Sequence, residues 1–237
     1  MMNLNWNIFA TVFFVVLGIV VLVFLGIAGA RWEERRYRKK MARAEVELGL
    51  EPLDKSDREL NERFTRLQRG RRDTPRIGLA WRRDEPGGRF YVLGLWIERN
   101  DSYQLQGQCV LAVSPRLNLP QFGLLPKFNP TGIIVRLLSY VREYAVNRLG
   151  RVPIENHPEF DRHYDVVGED TTAIRQFLTE PRLRELARLP YRGLEAGGDM
   201  FQYSRWKTYT GKKDQCADLN ELLDEARLLC REFQTSD

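Results

Sequence analysis

The chain has 237 residues, with 37 basic and 32 acidic side chains, a net charge of +5 at neutral pH and an isoelectric point near 9.2. That excess is local: residues 31–43 hold seven Lys or Arg against two Glu, and the rest of the chain balances at thirty of each sign. A neutral remainder excludes a domain-wide basic surface, so no nucleic-acid partner is expected.

In chain order, the first feature is an apolar run. From Ile8 to Ala30 no side chain is charged and only Thr11 carries a hydroxyl. A helix over that run is roughly 34 Å long against a hydrocarbon core of about 30 Å, and an all-round apolar surface suits lipid better than a soluble core. Trp6 before the run and Trp32 with Tyr37 after it stand where interfacial aromatics belong. Residues 1–30 are therefore expected to be one transmembrane anchor of a single-pass protein. Basic residues follow the run and none precedes it, which places the N-terminus outside and the C-terminal domain in the cytoplasm, at the inner membrane. A cleaved signal peptide competes, because Ala28-Gly29-Ala30 has a small-x-small pattern; the neutral n-region and the length of the run argue against it.

Residues 31–73 form a basic collar and a connector. Arg31, Arg35, Arg36, Arg38, Lys39, Lys40 and Arg43 are expected to contact anionic lipid headgroups, at about 1 kcal/mol per residue near the surface, besides setting topology. Ser56 and Glu59 have capping-box spacing, which predicts a helix over Asp57 to Arg69. Its stripe of Leu60, Phe64 and Leu67 either docks on the domain or pairs in a short coiled coil.

Residues 74–237 read as one α+β domain. Phe90–Ile97 and Gln104–Ser114 are β-rich runs separated by the turn signal Asn100-Asp101-Ser102. Leu119–Leu125, between Pro115 and Pro126, reads as a short edge strand, since proline is kept out of central strands. Asn129-Pro130 starts a helix running to Gly150. Phe160–Val167 alternates as a strand. Asp170 caps a short helix with Ile174, Phe177 and Leu178, and a second helix begins near Pro181 with Leu183, Leu186 and Leu189. Tyr191–Ala196 and Met200–Trp206 flank the hairpin signal Gly197-Gly198-Asp199, and Asp218–Phe233 closes the chain as an amphipathic helix. The expected architecture is one N-terminal transmembrane helix, then an antiparallel or mixed sheet with helices packed on one face.

The stretch from Phe160 to Asp170, with Tyr164 and Val166 at fixed offsets, then Ile174 to Thr179 and the Gly197-Gly198-Asp199 hairpin, resembles a broad group of uncharacterised bacterial membrane-anchored proteins carrying a domain of unknown function. The resemblance covers roughly residues 105–233. It implies a shared domain and transfers no catalytic residue.

Phosphate-loop, dinucleotide, zincin and nucleophile-elbow motifs are all missing from the sequence. Cys109, Cys216 and Cys230 form no C-x-x-C pair and are odd in number, which fits a reducing compartment and argues against a disulfide framework or zinc site. One segment concentrates ionisable groups: both histidines fall between Glu155 and Asp165. On a strand, Glu159, Asp161, His163 and Asp165 would share one face at spacing a metal or acid–base cluster can use, opposite Phe160, Tyr164 and Val166. A half-buried strand with a wet outer face has the same alternation and needs no chemistry. Trp81, Trp96, Tyr203, Trp206 and Tyr209, with Arg82, Arg205 and Lys207, either line a groove or pack as core and rim.

The expected function is a non-enzymatic binding or scaffolding module with a protein partner, no cofactor and no catalytic residue. The alternatives are a metal-assisted or acid–base enzyme using His157, Glu159, Asp161 and His163, and a domain that holds a lipid or small ligand between sheet and helices.

Overall fold

The computed structural model describes residues 17, 42–43, 45–54, 56–68, 76–99, 102–127, 150–189, 192–205 and 215–234. Their elements in chain order are β1 (Glu51–Leu53), α1 (Arg58–Leu67), β2 (Arg76–Glu85), β3 (Gly88–Arg99), β4 (Ser102–Val113), β5 (Leu119–Pro126), β6 (Arg151–Val152), α2 (Pro158–His163), β7 (Tyr164–Gly168), α3 (Thr171–Phe177), α4 (Glu180–Ala187), β8 (Arg192–Gly198), β9 (Met200–Arg205) and α5 (Gln215–Gln234). The strands form one nine-stranded sheet in the order β1-β2-β3-β4-β9-β8-β5-β7-β6. Every described pairing is antiparallel.

Local chemistry sets the turns. The β3–β4 hairpin closes with Arg99 opposite Ser102, at the Asn100-Asp101 signal. In β8–β9, Gly197 pairs with Met200, and Gly198 takes a φ of +62°, a left-handed value that glycine adopts without steric cost. The cap of α1 is Asp57, whose carboxylate accepts from Leu60 N at 2.8 Å, one residue beyond the expected Ser56. Asp170 caps α3 in the same way, accepting from Ala173 N at 2.9 Å.

The core has two compartments, one on each face of the sheet. Phe90, Val92, Val110, Ala112, Phe201 and Tyr203 pack with Leu219, Leu222, Leu223, Ala226, Leu229 and Phe233 of α5 and with Ile174, Leu183 and Leu186 of α3 and α4. Their strand neighbours Tyr91, Leu93, Leu95, Cys109, Leu111 and Met200 point the other way, onto Leu60, Phe64 and Leu67 of α1. Burying a side chain of this size contributes about 1.5–3 kcal/mol.

The expected architecture is corrected in three respects. Helices cover both faces rather than one. The reason is that β3 and β4 are apolar at consecutive positions, Phe90-Tyr91-Val92-Leu93 and Cys109-Val110-Leu111-Ala112, so neither face of the sheet's centre can be left to water.

The β5 strand is not at an edge but lies between β8 and β7. Its Pro120 is tolerated because the register with β8 shifts between Leu119 and Phe122, where no ladder hydrogen bond is required of it.

The expected transmembrane helix has no counterpart among the described residues, where no helix is long and apolar enough to cross a membrane. The described helices are amphipathic, and the sheet takes up their apolar stripes; α5 keeps Asp224, Glu221 and Arg231 on its outer side. The Ile8–Ala30 run, Leu17 apart, lies outside the described residues, and so does the collar except for exposed Arg43. The single-pass, signal-anchored membrane reading thus has no spanning helix among the described residues to support it. The helix expected between Asn129 and Gly150 also lies outside the described residues.

Candidate functional site

The histidine-bearing segment does not fold as the strand expected over Phe160–Val167. Pro158 stands in the first turn of a short helix, α2, where its fixed φ suits the helix and its missing N–H goes unused. Only from Tyr164, where the chain becomes Tyr-Asp-Val-Val, does it extend into β7. This correction disperses the expected cluster, because residues that alternate on a strand are spread around a helix. His157 is the N-cap and His163 the last helical residue, about 9 Å of rise apart.

Asp161 and Asp165 are taken up by cations of the chain itself. Lys127 Nζ lies 2.8 Å from Asp161 Oδ1 and 3.4 Å from Asp165 Oδ1, and Arg151 Nη2 lies 2.7 Å from Asp165 Oδ1. Asp165 is buried on β7, and these ammonium and guanidinium groups compensate its charge. A lysine thus bridges two of the carboxylates that strand alternation would have assigned to a metal. Among the described residues, no group of His, Cys, Asp and Glu is placed to hold a metal ion.

Glu159, Arg162 and His163, at helical i, i+3 and i+4 positions, face instead into a cleft of about 350 Å³. Its other wall is α4, which contributes Arg184, Ala187 and Arg188 at the same spacing. The α4 helix turns Leu183 and Leu186 into the core and is started by Pro181. Arg184 and Arg188 pair with Glu180 and Glu185 of their own helix, and their side chains remain 70% and 72% exposed. Such exposed pairs hold an arginine by about 0.3–0.5 kcal/mol, so both guanidinium groups are open to exchange for another anion.

The expected aromatic groove falls largely outside the described side chains. Trp81 and Tyr203 are both buried in the compartment under α5, while residues 206–214, with Trp206, Lys207 and Tyr209, lie outside the described residues.

A polar network unforeseen in the sequence joins α5 to β8–β9. Arg192 holds Glu225 through two bonds, Nε to Oε2 at 2.8 Å and Nη2 to Oε1 at 2.6 Å, and the Tyr203 hydroxyl donates to Glu225 Oε2 at 2.9 Å. Arg205 adds contacts to Glu225, Asp218 and Glu221. Burial by itself would push Glu225 up, but Arg192, Tyr203 and Arg205 together hold it below the ordinary carboxylate range. Burial, reinforced by the Glu225 charge, drives the Tyr203 phenol well above its ordinary value. One signal for this network was available in the sequence. Counting back from the Gly198-Asp199 turn puts Arg192 opposite Arg205, and like charges paired across a hairpin call for an acid above them.

No family model and no curated protein matches the sequence. Among solved structures, the chain is similar to the crystal structure of the mycobacterial trehalose monomycolate transport factor A, TtfA, at 9% sequence identity and a TM-score of 0.48, over 82% of this chain and 92% of that chain.

Proposed function

We propose that this chain is a non-enzymatic binding module that docks a protein partner on the surface around α2 and α4. The observation that carries this reading is the division of the ionisable groups. Glu159 and His163 face the cleft, whereas Asp161 and Asp165 are neutralised by Lys127 and Arg151. With Asp161 and Asp165 held by the chain's own cations, the cleft presents mainly guanidinium groups on exposed helical faces, a composition suited to docking.

The test is site-specific photocrosslinking of the full chain in its native cells, with a benzoylphenylalanine at position 187 in the cleft and another at Glu155, which is 77% exposed outside it. A discrete, reproducible protein adduct from position 187 and none from position 155 is the expected outcome. Loss of the adduct at both positions, together with a melting temperature that rises with added zinc or manganese in the wild type but not in His163→Ala, would replace this reading with the metal-assisted enzyme.

A further inference from the structure

We infer that the cleft between α2 and α4 is a docking site for an acidic peptide segment of the partner, one whose carboxylates stand a helical turn apart. This inference rests on the module reading above and assigns its surface and its ligand class. Arg184 and Arg188 are separated by one turn of α4, about 6 Å of rise, and both point into the cleft. Across from them, Arg162 is exposed and has no acidic partner among the described residues. Three arginines thus line one recess together with Ala187, the only small residue in its lining.

A planar guanidinium binds a carboxylate through two parallel hydrogen bonds, which an exposed intrahelical pair rarely matches in geometry. An incoming carboxylate that is bidentate and partly desolvated therefore displaces Glu180 from Arg184 or Glu185 from Arg188 at small cost. Glu159 on the facing wall repels a ligand of uniform negative charge and accepts from a peptide N–H or a lysine. That mixed wall favours an acidic peptide over a continuous polyanion such as nucleic acid or a sheet of anionic headgroups.

The experiment measures fluorescence anisotropy of a labelled helical peptide carrying Glu at i and i+4, with its Gln counterpart as control, titrated with the purified full chain. Saturable binding of the Glu peptide alone is expected. Arg162→Glu and the double variant Arg184→Glu/Arg188→Glu should each weaken it roughly tenfold or more, and Ala187→Trp should abolish it by filling the recess. Arg58→Glu, at a side chain 91% exposed on α1, makes the same charge change elsewhere and should leave binding unaltered. Unchanged melting curves establish that each variant is folded.

Absence of saturable binding, or equal weakening by Arg58→Glu, overturns the assignment. So does cleft-dependent binding of single-stranded DNA or phosphatidylglycerol vesicles in place of the peptide. If the position-187 crosslink persists while the peptide fails, the acidic-segment assignment falls and the module reading stands; if both fail, both fall.

Discussion

Arg63 in α1 and Asp199 in the β8–β9 turn are 136 residues apart in sequence, yet Arg63 Nη1 donates to Asp199 Oδ2 at 2.6 Å. One turn further along the helix, Gln68 Nε2 donates to Glu195 Oε2 at 2.8 Å and to Gln202 Oε1 at 2.7 Å. Both polar anchors of α1 therefore fall on the same hairpin, and they frame an apolar seat in which Leu60, Phe64 and Leu67 are buried. The segment before β2 is an integral layer of the domain in this structure.

Phe64 is 2% exposed, so Phe64→Ala should destabilise the domain by about 3–5 kcal/mol in chemical denaturation. The Arg63–Asp199 pair, at 24% and 38% side-chain exposure, should show a coupling of only about 0.2–1 kcal/mol in a double-mutant cycle. A chain begun at Thr74 lacks α1 and leaves Tyr91, Leu93, Leu111 and Met200 uncovered; it should aggregate or melt without cooperativity. Wild-type stability in Phe64→Ala would show that the seat contributes little.

Glu225 supplies an acid-dependent component of stability. Its folded-state pKa lies below the ordinary 4.5, so the native state gains from ionised Glu225 above that pH and loses the gain as pH falls through the folded value. Glu225→Gln removes the titration, so its stability should fall less steeply than wild type between about pH 4.5 and the acid transition. Glu225→Ala takes from Arg192, 14% exposed, its two-bond partner, while Arg205 keeps Asp218 and Glu221, and should cost about 3–5 kcal/mol near neutral pH. Parallel acid profiles for wild type and Glu225→Gln would remove Glu225 as the source.

Gly168 ends β7 where the sheet meets α3. A methyl group there would stand 2.4 Å from Ile174 Cδ1 and 2.8 Å from the Gln121 carbonyl oxygen. The isoleucine tip can shift, whereas the backbone oxygen of β5 cannot. Gly168→Ala should therefore cost about 1–3 kcal/mol, and adding Ile174→Val should recover only part of it. Full recovery by the second substitution would place the whole clash on the side chain.

Much of the element list was legible along the chain because its causes are local. The turn signal at Asn100-Asp101 stands between strands that pair as far as Arg99 and Ser102, Gly198-Asp199 reverses β8 into β9, Asp170 accepts from Ala173 N at the start of α3, and Leu219 to Phe233 repeat at helical spacing. The second covered face was also written there, in the consecutive apolar residues of β3 and β4, although alternation alone did not reveal it.

Tertiary structure alone decided the rest. Whether Leu60, Phe64 and Leu67 dock or pair depends on the Tyr91–Leu111 surface, which is assembled from distant strands. The central place of β5 depends on β8 arriving from beyond α4, and no local signal in Leu119–Pro126 records it. The histidine segment is the sharpest case. A helix and a strand compete over six residues from Pro158, and the choice sends Glu159 and His163 into the cleft while leaving Asp161 and Asp165 to Lys127. Periodicity over so short a run is nearly degenerate, so the packing of α2 against α4 and β7, not the residue pattern, determines which side chains meet.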